Sequence, residues 1–437
     1  MKLVLQPMPI EDNDFGHDIF GRKSFGLALA NIVKNSQDPL VIGLDGNWGE
    51  GKSTFVKTWQ KTLDQEEVPN IYIDAFASDY VDDAFMVVAG AITDYVTENA
   101  PPKKSKEFIE KAKNVGAHVL SLSAKIGIRA ISAGVIKEAD LDDLKTIGDD
   151  ISKEISDSAE KYIKDRLTNH KAERESVEHF KSFLSTIPSG LKTPSTYPLT
   201  VIIDELDRCR PSFAVEMLEK IKHLFSVPNV NFLLVMNKAQ LQESIKSTYG
   251  VNIDAHTYLQ KFISIEATLP KKKGRDGDIE KYCKYLAHQY GFTKGEWAAY
   301  FTALGTQLNC SLRELERIYS NLAIMLLTEK EGAELHEALI SAVCTLKVMR
   351  PGLFSRLVED DVPLEDIYKG LKYYPDPKRD NYVMEHILLW LHACLMSDEK
   401  FNALDNDDEI KRSGRYIRNR KKFLVQLVQK LDSFSAG

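Results

Sequence analysis

The stretch Leu40-Val41-Ile42-Gly43-Leu44-Asp45-Gly46-Asn47-Trp48-Gly49-Glu50-Gly51-Lys52-Ser53-Thr54, running on through Phe55 to Leu63, decides how this chain is read. Gly46 to Ser53 fits G-x-x-x-x-G-K-[ST], the pattern of a phosphate-binding loop. The apolar run before it reads as a buried strand, and the nine residues from Phe55 to Leu63 hold neither Pro nor Gly and read as a helix. Strand, glycine loop and helix together give the pattern a mechanism. Glycines let backbone N–H groups curl around phosphates, and the helix N-terminus adds its positive end. In that geometry Gly46 to Thr54 cradle the nucleotide, Lys52 bridges the β- and γ-phosphates, and the Ser53 hydroxyl holds Mg²⁺.

Composition sets the outer bounds. The chain has 437 residues, 43% of them hydrophobic, enough for a large core and a further domain. A formal charge of −7 leaves no global pull toward nucleic acid or anionic membrane. The five cysteines, Cys209, Cys283, Cys310, Cys344 and Cys394, form no C-x-x-C pair. They read as reduced thiols of a cytoplasmic protein, neither a disulfide frame nor a zinc site. Met1 to Ile10 lack the basic-then-apolar build of a signal peptide.

Upstream of the loop, Phe25, Leu29 and Ile32 suit an amphipathic helix beside the first strand, and Gly21, Arg22 and Phe25 are candidates to close over an adenine. Asn70 to Phe76 reads as a second strand, followed by a helix from about Asp82 to Val96. From about 100 to 197 only helical patterns occur, which makes this block an insertion. One of its helices, Val115–Ile136, is long enough to cross a membrane but carries His118, Lys125 and Arg129, so packing inside the protein or on a partner is the expectation. Strands follow at Leu199–Glu205, Val230–Asn237 and Phe262–Ala267, with a helix after Pro211 that begins well on its proline. Strands alternating with helices imply a parallel sheet covered on both faces, with ligands at the carboxyl ends where Gly46, Asp204 and Asn237 fall.

The basic run Lys271-Lys272-Lys273-Gly274-Arg275 marks a boundary between a nucleotide domain, 1–270, and a helical domain, 271–437. Thr293-Lys294-Gly295-Glu296 and Ser311-Leu312-Arg313-Glu314 have the capping-box form. Residues 383–396 are apolar but too short to span a bilayer, and belong to a core. Near the end, Lys411, Arg412, Arg415, Arg418, Arg420, Lys421 and Lys422 form either a solvated helix face or a patch for an acidic partner or nucleic acid.

The acids at the end of the third strand supply the chemistry. Asp204 stands where a carboxylate holds Mg²⁺ through water, and Glu205 can polarise the attacking water; alternatively Glu205 pairs with Arg208 or Arg210. Asn237 either holds that water in line or caps the next helix. Asn237-Lys238-Ala239-Gln240 departs from the guanine signature N-K-x-D at its fourth position, so ATP is the expected nucleotide. Arg313 at a helix start could reach the γ-phosphate, or Arg208 or Arg210 could act on a neighbouring copy.

With these pieces in order, the chain resembles the KAP family of P-loop NTPases. The resemblance rests on Gly46 to Ser53, Ile73-Asp74-Ala75-Phe76, Asp204-Glu205-Leu206-Asp207-Arg208-Cys209, Tyr258-Leu259-Gln260-Lys261-Phe262 and Ser311 to Arg317. It implies an α/β, additional-strand (AAA-like) core with a parallel five-stranded sheet, a helical insertion and an all-helical C-terminal domain. Lys52, Ser53, Asp204 and Glu205 then take the roles argued above. The family usually has Asp where Glu205 stands and Trp where Phe76 stands. Many relatives carry membrane-spanning helices in the insertion, which is too polar here for a stable membrane anchor. The resemblance further implies a Mg²⁺-dependent ATPase acting as a conformational switch in a protein assembly, in defence against phage or plasmids, with protein partners and self-association. An ATP-holding scaffold without turnover, a P-loop kinase of a small molecule and, more remotely, a DNA-stimulated motor remain as alternatives.

Overall fold

The computed structural model describes Phe15, residues 18–110 and residues 178–434, apart from positions 37, 82, 108, 179, 223, 225, 274–276, 329–335, 359–361, 374–381, 416 and 418. Most of the expected insertion, including Val115–Ile136, and Arg418 lie outside the described residues. Two compact units form: one from residues 24–46 and 53–269, the other from 1–23, 47–52 and 270–437.

The first unit is built on five parallel strands: β1 Leu40–Asp45, β2 Asn70–Asp74, β3 Leu199–Asp204, β4 Val230–Met236 and β5 Ile265–Thr268. Their order is β2-β3-β4-β1-β5, so β4 is the additional strand between the loop strand and the acid strand. Every residue of β3 and β4 is buried, which is why both read as continuous apolar runs and not as alternation. The edge strand β5 is exposed along most of its length. It starts three residues later than the apolar run from Phe262 suggests, and Phe76, Glu205 and Asn237 each lie just beyond a strand end.

Helix α1, Lys23–Asn35, and helix α2, Lys52–Gln65, flank β1 in sequence. On α2, Phe55, Val56, Trp59 and Leu63 are buried at helical spacing. Trp59 is wholly buried and its indole N–H donates to the Gly26 carbonyl of α1 at 2.9 Å. The covered stripe of α1 is therefore Gly26, Leu29, Ala30 and Val33, whose small members admit the indole. Ile32, expected on that stripe, is 42% exposed, because a 3.6-residue turn carries it past the face that Leu29 and Val33 share. Further on come α3 Ala84–Asn99, capped by Asp83, α4 Pro211–Ile221 and α5 Lys238–Tyr249.

The second unit contains, among its described residues, helices and no strands. They include α6 Asp278–Tyr290, α7 Trp297–Leu308, α8 Leu312–Thr328, α9 Glu337–Met349, α10 Tyr382–Leu395 and α11 Arg420–Asp432. Aromatic packing centres on Tyr319 of α8, whose ring lies 4.8 Å from Phe301 and whose hydroxyl donates to the Cys283 carbonyl. The apolar run at 383–396 is α10, with Met384, Ile387, Leu388 and Leu391 buried. The capping box at Ser311 forms in both directions: Glu314 N–H donates to Ser311 Oγ, and Ser311 N–H to Glu314 Oε2. The one expected at Thr293 does not form. Helix α7 begins only at Trp297, and the Glu296 N–H is taken by the Glu337 carboxylate at 2.6 Å. Gly295, with φ +86°, turns the chain before that helix can start. Of the basic tail, Lys411 ties the carbonyls of Asn402 and Leu404, and Arg420 ties Ala393 O and Asp398 while lying 3.5 Å over Phe401.

All five cysteines are buried and free, and burial pushes each thiol up to about 12. Among the described residues, no helix is long and apolar enough to cross a membrane.

Candidate functional site

The loop residues Asn47–Lys52 pack within the helical unit. Gly49 and Gly51 have φ of +75° and +80°, a region where a Cβ is penalised. The Gly49 carbonyl accepts from Leu312 N–H at 3.0 Å, so the start of α8 is pinned to the loop. Arg313, the next residue, is exposed on the first turn of that helix and its Cβ lies 3.0 Å from where a Cβ on Gly49 would stand.

Inside the loop, Glu50 braces the backbone. Its carboxylate accepts from Asn47 N–H and Asn47 Nδ2, both at 2.9 Å, and pairs with Lys271. Burial pushes this carboxyl up, but the hydrogen bonds from Lys271 and Asn47 outweigh it and the net direction is down. Lys52 is 9% exposed and its ammonium donates to the Asn47 carbonyl at 3.1 Å. Trp48 and Thr54 are exposed.

Of the residues considered for an adenine, Arg22 is a buried tie. It donates to Glu50 O and Pro270 O, stands 3.8 Å from Asp278 and lies over Phe20. Its burial lowers its pKa against the pull of Asp278, and it supports the loop from behind through Glu50. Gly21 has φ +67°. Phe25 packs in the sheet unit against Phe55 at 5.4 Å.

The acids belong to the sheet unit. Asp204 ends β3 and is 1% exposed. Its Oδ1 accepts from Glu205 N–H at 2.8 Å and its Oδ2 from the Tyr72 hydroxyl at 2.9 Å. Burial raises its pKa, while hydrogen bonds from Ser53, Tyr72 and Glu205 N–H oppose that rise. Glu205 follows in the left-handed region at φ +60°, an unusual place for a side chain that reports local constraint. Its Oε1 lies 3.5 Å from Ser53 Oγ and 2.7 Å from Arg208 Nη1. Burial raises the Glu205 carboxyl, and Arg208 pulls it back.

Ser53, Asp204 and Glu205 thus come together, and the ion pair with Arg208 forms as well. Arg210 instead reaches Asp79. Asn237 is buried and caps α5, its side chain accepting from Gln240 N–H at 3.4 Å. Tyr72 is the contact the sequence does not announce, since a tyrosine inside an apolar strand reads as core.

The donors suit a hard divalent cation. A hydroxyl and a buried carboxylate are oxygen ligands of the kind Mg²⁺ accepts through few protein contacts, with phosphate and water completing the shell. Among the described residues, no group of three or more His, Cys, Asp or Glu side chains could cage a metal by itself.

Comparison with known proteins adds three findings. The model of the KAP family P-loop domain matches residues 22–328. The phage T7 exclusion protein of Escherichia coli (strain K12) is 23% identical over 283 residues, which is 58% of this chain and 34% of that protein. This chain therefore spans about a third of the length of that relative. The Aeropyrum pernix ORC2 protein (ADPNP–ADP complexes) aligns over 94% of both chains at 10% identity, with a TM-score of 0.36.

Proposed function

Because the chain belongs to the KAP family of P-loop domains, we propose that it is a Mg²⁺-dependent ATPase whose turnover drives a conformational switch within a protein assembly. The observation that carries this reading is the meeting of Ser53, next to the loop lysine in sequence, with Asp204 and Glu205 at the carboxyl end of β3. In this reading the loop amides and Lys52 bind the phosphates, and Ser53 and Asp204 hold the cation. When bound, Mg²⁺ would supply charge neutralisation on the β- and γ-oxygens. Glu205 accepts a proton from the attacking water, for which it must leave or share its pair with Arg208. Arg313, fixed to the loop through its neighbour Leu312, is the favoured arginine for the γ-phosphate. Asn237, already engaged as a cap, is the weaker candidate for orienting water.

Kinship with a phage exclusion protein supports a role in defence against phage or plasmids, with partner proteins, and self-association would suit a switch. The phosphate loop and the two acids lie within residues 1–270, the nucleotide domain, and Arg313 comes from the helical domain, residues 271–437. Use of Lys411 and Arg420 as internal ties weighs against the basic tail as a nucleic-acid grip.

Phosphate release and nucleotide binding by wild type, Lys52→Ala and Glu205→Gln test the reading. Lys52→Ala should lose ATP binding. Glu205→Gln should keep ATP and turn over at least ~100-fold more slowly, as when a positioned base is lost. Equal turnover in Glu205→Gln and wild type would remove Glu205 from the mechanism. A second reading, ATP held without turnover, is favoured by one observation, the engagement of Glu205 by Arg208. It requires saturable binding with no phosphate release.

A further inference from the structure

Tyr72 sits two residues before the end of β2, opposite Ile202, while Asp74 lies opposite Asp204. Its phenol must therefore reach two residues along the neighbouring strand, roughly 7 Å at the rise of a strand, to meet Asp204. It does so, donating to Oδ2 at 2.9 Å. Its ring is covered by the Lys57 ammonium, 5.3 Å from the centroid. Lys57 lies four residues after Ser53, one turn along the same face of α2. The tyrosine thus links α2, which carries Ser53 in its first turn, to the strand that ends at Asp204.

We propose that Tyr72 is a positioning residue for a divalent cation: its hydroxyl locks the Asp204 carboxylate in one orientation, keeping its charge on offer to the hydrated ion. This rests on the reading of Asp204 as a cation-holding acid. The geometry leaves little freedom. Oδ1 is held by the Glu205 N–H and Oδ2 by the phenol, so both oxygens are oriented from the protein side. Removing the phenol leaves Oδ2 of this carboxylate, which is 1% exposed, without that donor, so its orientation then rests on the Glu205 N–H and Ser53 alone. Partners that orient a metal ligand in this way are generally worth 10- to 100-fold in metal affinity.

The test is Tyr72→Phe, which removes one oxygen and keeps the ring. Mn²⁺ affinity of the protein loaded with a non-hydrolysable ATP analogue is read by electron paramagnetic resonance, and analogue affinity is read separately in EDTA. The expected result is an Mn²⁺ dissociation constant raised about 10-fold or more, with analogue affinity in EDTA unchanged within about twofold because the ring and its packing are retained. In an Asp204→Asn background the same substitution should change Mn²⁺ affinity by less than about twofold, because the group it acts through is gone. Unchanged Mn²⁺ affinity in Tyr72→Phe, or an equal loss in both backgrounds, would overturn the assignment. Wild type that binds the analogue equally with and without Mn²⁺ would instead overturn the cation-holding reading beneath it.

Discussion

Alanine at Gly49 should damage the nucleotide-free protein more than alanine at Gly51, although only Gly51 is demanded by the loop pattern. Both positions have positive φ, so both substitutions carry a left-handed penalty of about 1–2 kcal/mol. Both recover about 0.4–1 kcal/mol through a less flexible unfolded chain. They differ in space. A Cβ at Gly49 would stand 3.0 Å from Arg313 Cβ and 3.1 and 3.2 Å from Ser311 Oγ and Cβ. Those atoms lie close to the backbone of α8, whose start is fixed by Leu312 N–H to Gly49 O, so they have little room to retreat. Overpacking of this kind adds about 1–3 kcal/mol. At Gly51 the neighbours, Arg22 Nη1 and Leu312 Cδ1, stand at 3.4 and 3.6 Å, which is ordinary contact. The expected costs are about 1–4.5 kcal/mol for Gly49→Ala and about 0–1.5 kcal/mol for Gly51→Ala, the difference of about 1–3 kcal/mol being the steric part. Urea denaturation without nucleotide, followed through the fluorescence of the four tryptophans, measures both. A Gly51→Ala midpoint as low as that of Gly49→Ala, or lower, would refute the steric argument. Nucleotide affinity would not discriminate, since a side chain at either position can disturb the phosphate cradle.

Other outcomes follow from single contacts. Ser311→Ala removes one half of the capping box and should cost about 1 kcal/mol in the same denaturation, with Ser311→Asp largely restoring it. Trp59→Phe removes the indole bond to the Gly26 carbonyl and opens a space in a fully buried site; about 2–4 kcal/mol is expected in unfolding. The five thiols, raised to about 12 by burial, are protonated at pH 8 and should resist alkylation in the native protein, then all react once it is unfolded; fast native labelling of any one, scored by mass spectrometry, would contradict its burial.

How far the chain could be read without coordinates depended on the range of each interaction. The central strands were legible because buried parallel strands are continuous apolar runs, and Leu199–Asp204 and Val230–Met236 fit that form closely, whereas the exposed edge strand Ile265–Thr268 was placed only approximately. Their ends were less distinct. Glu205 and Asn237 look like strand residues until the backbone turns at φ +60° in one case and a helix begins in the other. Capping boxes were half legible. Ser311 and Thr293 have the same local pattern, but a distant carboxylate, Glu337, takes the N–H at Glu296 and only Ser311 caps its helix.

By itself the sequence determined the loop and its glycines, the alternation of strands and helices, and the family, because these are local and periodic properties of neighbouring residues. Only the tertiary structure decided which partners the charged and polar side chains found: Arg208 for Glu205, the α5 backbone for Asn237, loop and boundary carbonyls for Arg22, and Asp204 for Tyr72. The physical reason is that a buried hydrogen bond is chosen by geometry among groups far apart in the chain. Tyr72 and Asp204 are separated by 132 residues, and no spacing rule connects them until parallel strands bring them side by side.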